Sequence, residues 1–167
     1  MLKINLGSGQ KPYPKEEGWV NVDISDAHGH QVDVLVDVTE KLPFEDNSAD
    51  IIVAEHILEH IYLHKQEGAL REWHRILKPG GKLVITVPNQ RELARAYLEG
   101  RIDFFIYAAN KFGPYNGSDD DFHKWGFDEQ ELRNRLSVLT WAEVRPYTGG
   151  ATLLARDWWI LEIEAVK

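Results

Sequence analysis

Short apolar runs open the chain. Lys3–Leu6, Val20–Ile24, Val32–Val36 and Ala49–Ala54 each read as a strand bounded by turn residues. Runs of this kind suit strands buried on both faces of a parallel sheet. From about Gln66 to Lys78 the period changes, because Leu70, Trp73, Ile76 and Leu77 recur at helical spacing until Pro79-Gly80-Gly81 ends the helix. Lys82–Pro88 is a fifth strand, and Asn89 with Glu92 forms a capping pattern for a helix reaching about Glu99. Periodicity then fades. Residues 101–127 carry Phe104, Phe105, Tyr107, Phe112, Tyr115, Phe122, Trp125 and Phe127, an aromatic-rich variable insert from which the core is expected to draw several side chains. Asp128 and Glu131 cap a further helix with Leu132 and Leu136 inward, and two strands follow, Ala142–Tyr147 and Trp158–Val166. This order predicts an α/β fold, a doubly wound, mostly parallel sheet of about seven strands whose last strand is antiparallel.

The first crossover is the irregular part. A parallel connection normally needs a dozen or more residues and carries a helix. Gln10 to Trp19 is short and holds Pro12, Pro14 and Gly18, so a distorted helix is expected at best.

At 167 residues, with 43% hydrophobic and 28% charged residues, the chain fits one domain, residues 1–167, with a full core. The net charge of −8 argues against a nucleic-acid backbone as partner. Ser118-Asp-Asp-Asp121 concentrates part of that acidity in one loop. The absence of cysteine removes disulfides, zinc–thiolate sites and cysteine nucleophiles. No basic leader with an apolar core opens the sequence, and no apolar run approaches the roughly 20 residues that span a bilayer. A soluble cytoplasmic protein without membrane insertion is expected.

Candidate chemistry begins where the first strand meets Gly7-Ser8-Gly9. Glycine allows a sharp turn and lets a ligand approach the main chain. In doubly wound sheets such a loop lies at the carboxyl ends of the strands, where ligands bind. Asp23 ends the second strand, where a carboxylate can accept hydrogen bonds from two ribose hydroxyls, although a solvated strand-end aspartate reads the same way. Asp37 ends the third strand, one step along the same edge. Pro12 stands where a dinucleotide loop would place its third glycine, which counts against a pyrophosphate.

Leu6-Gly-Ser-Gly9, Val22-Asp23, Val36-Asp37-Val38, Leu42-Pro-Phe44 with Asp50, His56-Ile-Leu-Glu-His60 and Arg75-Ile-Leu-Lys-Pro-Gly-Gly81 together resemble the successive motifs of small class I S-adenosylmethionine-dependent methyltransferases. Trp125-Gly-Phe-Asp128 with Leu132 and Leu136 is similar to that family's helix before the last two strands. The resemblance covers most of the chain. It implies a Rossmann-like fold and S-adenosylmethionine as cofactor. Gly7 and Gly9 would line the methionine portion, Asp23 would hold the ribose, Asp37 with Val38 would flank the adenine, Glu55 and His56 would line the methyl-donor side, and Leu6, Ser8 and Ile24 would also bind the cofactor. The activity implied is methyl transfer to a small-molecule acceptor. The alternative is a non-catalytic binding module, or a subunit completed by a partner chain, suggested by the eroded crossover and by a chain that opens on its first strand without N-terminal lid helices. The aromatic segment could also carry a homodimer.

The histidines allow rival readings. His56, His60 and His64 fall on one face of a helix if one forms, and His56-Ile-Leu-Glu-His60 matches the H-x-x-E-H of inverzincin proteases. The motif follows an apolar strand and lacks a third carboxylate ligand, so no metal site is expected. His60 and His64 read as packed or capping residues, and His56 as lining the cleft. His123 is the other candidate base, since an unperturbed imidazole suits that work, but it equally suits a structural role in a polar loop.

Overall fold

The computed structural model describes residues 1–9, 12–26, 31–113, 119–147 and 159–167. Seven strands form one sheet: β1 (Lys3–Leu6), β2 (Trp19–Asp23), β3 (Val34–Leu35), β4 (Ala49–Glu55), β5 (Leu77–Pro88), β6 (Glu143–Pro146) and β7 (Ile160–Val166). Their spatial order is β3-β2-β1-β4-β5-β7-β6. Pairings from β3 through β5 are parallel, and β7 runs antiparallel to both β5 and β6. The expected fold class is met. Strand order reverses between β1 and β4, which sets the ligand crevice at their carboxyl ends.

The core forms because the central strands are apolar on both faces. Ile4, Leu6, Val22, Ile52 and Ala54 are fully buried with Leu83 and Ile85. Helix α1 (Leu63–Ile76) lays Ala69, Leu70, Trp73 and Ile76 on one face of the sheet; the spacing predicts Leu70, Trp73 and Ile76, whereas Leu77 and residues 79–81, expected in the helix and at its end, belong to β5. The Trp73 indole N–H also donates to the Val38 carbonyl at 3.0 Å, tying α1 to the turn after β3. Helix α2 (Gln90–Leu98) starts at Asn89, whose side chain accepts the Glu92 N–H, and α4 (Glu129–Leu136) starts at Asp128, which accepts the Glu131 N–H. Both caps were legible in the sequence.

Three further expectations change. The first crossover holds no α-helix among its described residues, only a 3₁₀ turn at Lys15–Glu17. What holds it is a buried amide: the Asn21 side chain accepts the Tyr13 N–H at 2.8 Å and donates to the Tyr13 carbonyl at 2.9 Å, while Asn5 donates to Asn21 at 3.0 Å. The third strand contracts from Val32–Val36 to two residues, and just before it the Asp33 carboxylate accepts the Asn21 N–H at 2.9 Å. The aromatic insert contains a helix, α3 (Phe104–Phe112), capped by Asp103, which accepts the Ile106 N–H at 2.8 Å. It packs on α2 through Tyr97 and Tyr107, stacked at 5.1 Å. The helix escaped notice because it is apolar on several sides and so shows no period. It does not feed the core: Phe127 is buried, whereas Phe104, Phe105, Phe112, Phe122 and Trp125 are exposed. Tyr115, Ser118 and Trp158 lie outside the described residues.

Candidate functional site

β1 ends at Leu6, and Gly7 turns the chain with φ +64°. A Cβ on Gly7 would stand 1.8 Å from Cδ1 of Ile57, so the space that looked like ligand room is filled by that side chain. Gly9, at φ +46°, differs: its nearest neighbour to a Cβ is the Gly7 carbonyl at 3.9 Å, and that side is open. Ser8 N–H donates to the Val22 carbonyl at 3.1 Å, and its buried hydroxyl lacks a hydrogen-bond partner among the described residues.

Asp23, at the end of β2, holds this loop. Its Oδ2 accepts the Gly9 N–H at 2.8 Å and its Oδ1 accepts the Ser25 N–H at 3.1 Å. A carboxylate offers about four lone-pair positions, so both oxygens retain capacity for a ligand's hydroxyls. Ile24 beside it is 56% exposed, an apolar ledge at the edge of the crevice. Asp37 lies two residues past the contracted β3, in a turn where its Oδ1 accepts the Thr39 N–H at 2.8 Å. The spacing of residues 6–9, 23–24 and 37–38 therefore becomes a row along the carboxyl ends of β1, β2 and β3.

Across the switch point, β4 ends at Glu55 and the chain passes through His56 at φ +53°. A non-glycine residue in this left-handed region stores strain, and such outliers cluster at functional sites. The turn is fixed by the His56 N–H, which donates to the Thr86 carbonyl on β5 at 3.0 Å. It leads into a 3₁₀ turn at Leu58–His60 and then into α1. His56, His60 and His64 thus lie on three separate pieces of backbone, not on one helical face, which removes the single-helix reading of the motif.

The residue missed in the sequence is Glu59. It is 1% exposed, and its Oε1 accepts the His56 Nδ1–H at 3.0 Å. That bond fixes the imidazole tautomer and makes Nε2 the basic nitrogen. A carboxylate between Leu58 and Ile61 in an apolar stretch was the available signal. Its backbone carbonyl also accepts N–H groups from Lys124 at 2.7 Å and Trp125 at 3.1 Å, bringing His123 beside His60, with ring centroids 4.8 Å apart. Burial pushes the His123 imidazole below its ordinary pKa, partly offset by the charge of Glu59, so its neutral form is favoured.

Next to this cluster a concavity of about 730 Å³ is lined by Gln90, Tyr107, Lys111, His123, Trp125 and Phe127, among others. A second, of about 550 Å³, lies at the opposite end of the sheet among Met1, Lys3, Trp19, Asp50 and Lys78. Asp50 there accepts the Leu2 N–H at 2.7 Å and the Lys78 ammonium at 2.8 Å. It anchors the amino ends of the strands, away from the loops that carry the chemistry.

The comparisons with known proteins meet this geometry. Residues 16–85 match the model of a family described as a methyltransferase domain. Over 135 residues the chain is 27% identical to the demethylmenaquinone methyltransferase of Bacillus cereus, an alignment covering 74% of this chain and 55% of that enzyme. The chain thus spans about half the length of that curated relative. Among solved structures, a SAM-dependent methyltransferase from Archaeoglobus fulgidus superposes with a TM-score of 0.66 at 18% identity, covering 99% of this chain and 85% of that one. The 1,6-didemethyltoxoflavin-N1-methyltransferase of Burkholderia thailandensis, crystallised with its acceptor and S-adenosylhomocysteine, superposes with a TM-score of 0.63 at 19% identity, covering 99% and 70%.

Proposed function

We propose, for a chain that belongs by fold and motif to the class I S-adenosylmethionine-dependent methyltransferases, that it binds S-adenosylmethionine across the ends of β1 and β2 and moves its methyl group to a small planar acceptor. The observation that carries this reading is Asp23, which organises the Gly7–Gly9 loop through Gly9 while keeping acceptor capacity for ribose hydroxyls. The residues present fit the cofactor. Gly9 is open toward a ligand tail, the orphan Ser8 hydroxyl lies beneath it, and Ile24 offers an apolar surface for the adenosine. Asp37 and Val38 would flank the adenine. Glu55 and His56 would face the methyl-donor side, where carboxylates suit a cationic sulfonium.

The acceptor would enter the aromatic concavity beside His123 and Trp125. A planar ring such as the one named for the Bacillus cereus relative suits that lining. The acceptor's lone pair attacks the methyl carbon as the carbon–sulfur bond breaks, and S-adenosylhomocysteine leaves. The leaving group is already activated, so alignment and exclusion of water supply much of the rate. Where the acceptor is protonated, His56, oriented by Glu59, is placed to take the proton. The exposed Phe104 and Phe105 on α3 would then serve contact with a second copy. Among the described residues no helix is long and apolar enough to cross a membrane.

The test is a melting curve with S-adenosylhomocysteine, followed by incubation with labelled donor and a panel of quinol, phenol and heterocyclic acceptors. A rise in Tm with turnover of one acceptor class is expected. No shift at saturating ligand would sink the cofactor assignment. A shift with no turnover across the panel would favour the second reading, a cofactor-binding subunit completed by another chain.

A further inference from the structure

Three groups beside the acceptor concavity have a capacity beyond methyl transfer. Glu59, His60 and His123 each offer a ligand atom, and these atoms lie within 4.8 Å of one another. Two buried polar atoms in this cluster, Oε2 of Glu59 and Nδ1 of His123, have no hydrogen-bond partner among the described residues. A buried carboxylate oxygen left without a donor is costly, and the carboxyl group that carries it shares the cluster with two imidazoles. We propose that these residues bind a divalent first-row transition ion, zinc by preference, clamping the turn after β4 to the segment that leads into α4.

The surrounding bonds already set the ligands as a metal needs them. His60 Nδ1–H donates to the Asp120 carbonyl at 2.9 Å, which leaves Nε2 with its lone pair. The other Glu59 oxygen is held by His56 at 3.0 Å. Both are the outer bonds that orient metal ligands elsewhere. The two segments are joined before any ion arrives, because Lys124 and Trp125 donate to the Glu59 carbonyl. The residue after α3 comes equally close: a Cβ on Gly113 would stand 2.3 Å from the Asp121 carbonyl oxygen and 3.0 Å from the His123 backbone nitrogen. Ligands at about 2.0–2.2 Å from a tetrahedral ion stand roughly 3.4 Å from one another, a closure within reach of side-chain rotation. Two imidazoles and a carboxylate favour zinc, cobalt or iron over calcium and magnesium, and three protein ligands leave a position open toward a small molecule. The sequence offers no third carboxylate to complete a site with His56 and His60, but a third ligand of another kind, the His123 imidazole, is available to Glu59 and His60. The fold supplies it from the far end of the aromatic insert.

The site stands independently of the donor reading, and the experiment separates them. Whole protein is treated with chelator, desalted and titrated with Co²⁺, then with Zn²⁺. One equivalent of Co²⁺ is expected to give visible d–d absorption stronger than that of the aqueous ion, displaced by Zn²⁺. Saturating Zn²⁺, at about 100 times its Kd, should raise Tm by about 5–10 °C. Glu59→Gln and His123→Gln should each abolish the band, and His74→Ala, outside the cluster, should keep it. Should Glu59→Gln fail to fold, His60→Ala carries the same expectation. Absorption no stronger than the aqueous ion, or a band unchanged in His60→Ala and His123→Gln, would overturn the site, and S-adenosylhomocysteine binding would be untouched by either result.

Discussion

The two halves of the sheet's carboxyl edge are built by different means. On the β1-β2-β3 side, the contacts are between backbone amides and carboxylates over short sequence distances: Gly9 to Asp23, Ser25 to Asp23, Thr39 to Asp37. Its carboxylates stay partly exposed, and its crossover is held by Asn21 instead of a helix. On the β4-β5 side, a strained His56 leads to a buried Glu59, whose neighbours come from residues 120–125. The first half is arranged to hold a ligand with little distortion of its own. The second stores strain at His56 and buries a carboxylate, a combination that accompanies functional sites in folded proteins. On the function proposed above, recognition would fall on the first side and chemistry on the second, and substitutions on the two sides should move different quantities.

The largest effect falls on rate. His56→Ala should lower turnover of a protonated acceptor by about 10²–10⁴-fold, the range of general acid–base catalysis, while donor affinity falls less than in an Asp23 variant. Steady-state rates beside calorimetric Kd values decide this. Equal losses in both would end the division of labour and make His56 only a cofactor contact.

Gly7→Ala should cost about 2–4 kcal/mol of stability, because it combines a left-handed residue with an overpacked contact at Ile57. That is a fall in Tm of roughly 5–15 °C. Adding Ile57→Ala should recover the overpacking part and leave the backbone strain. Gly9→Ala, with open space beside it, should lose only about 1 kcal/mol. If Gly7→Ala melts like the parent, Ile57 does not occupy that space and the glycine is ligand room after all.

Asp23→Ala should weaken S-adenosylhomocysteine by about 1.5–3 kcal/mol, or roughly 10–150-fold in Kd, the scale of hydrogen bonds to a charged group. The Gly9 N–H loses its partner in the same variant, so the loop contributes to the loss. Titration calorimetry reads it directly. A Kd within experimental error of the parent would remove Asp23 from the site.

The same division explains what the sequence disclosed. Gly7-Ser8-Gly9, Asp23 and the caps at Asn89 and Asp128 act within a few residues or at fixed strand ends, so residue type and spacing reveal them. Glu59 stood in the sequence only as the Glu of the H-x-x-E-H pattern, with nothing to show that it would be buried against His56. The partners of its backbone carbonyl, Lys124 and Trp125, lie far along the chain, and only the fold brings them together. At Gly7 the sequence shows that a glycine is present, but only the fold shows that Ile57 fills the space beside it. Helix α3 was hidden because its apolar residues surround it and its stability comes from stacking on α2.

The smallest effect tests the substitute for the missing crossover helix. Burial pushes the Asp33 carboxyl up, but the Lys15 ammonium and the Asn21 amide outweigh it and hold the group below its ordinary value. A carboxylate with a depressed folded pKa contributes stability that is present above its unfolded pKa and is lost as pH falls through the folded one. Tm should therefore decline more steeply for the parent than for Asp33→Asn below about pH 4, with the two curves parallel near neutrality. Asp128, at the N-terminus of α4, is held low by the Glu131 amide and Arg91, so Asp128→Asn should flatten the same acid limb from the other half of the edge. If Asp33→Asn keeps the parent's full acid slope, the Lys15–Asp33–Asn21 link contributes nothing measurable, and the crossover is held by the Asn21–Tyr13 amide exchange alone.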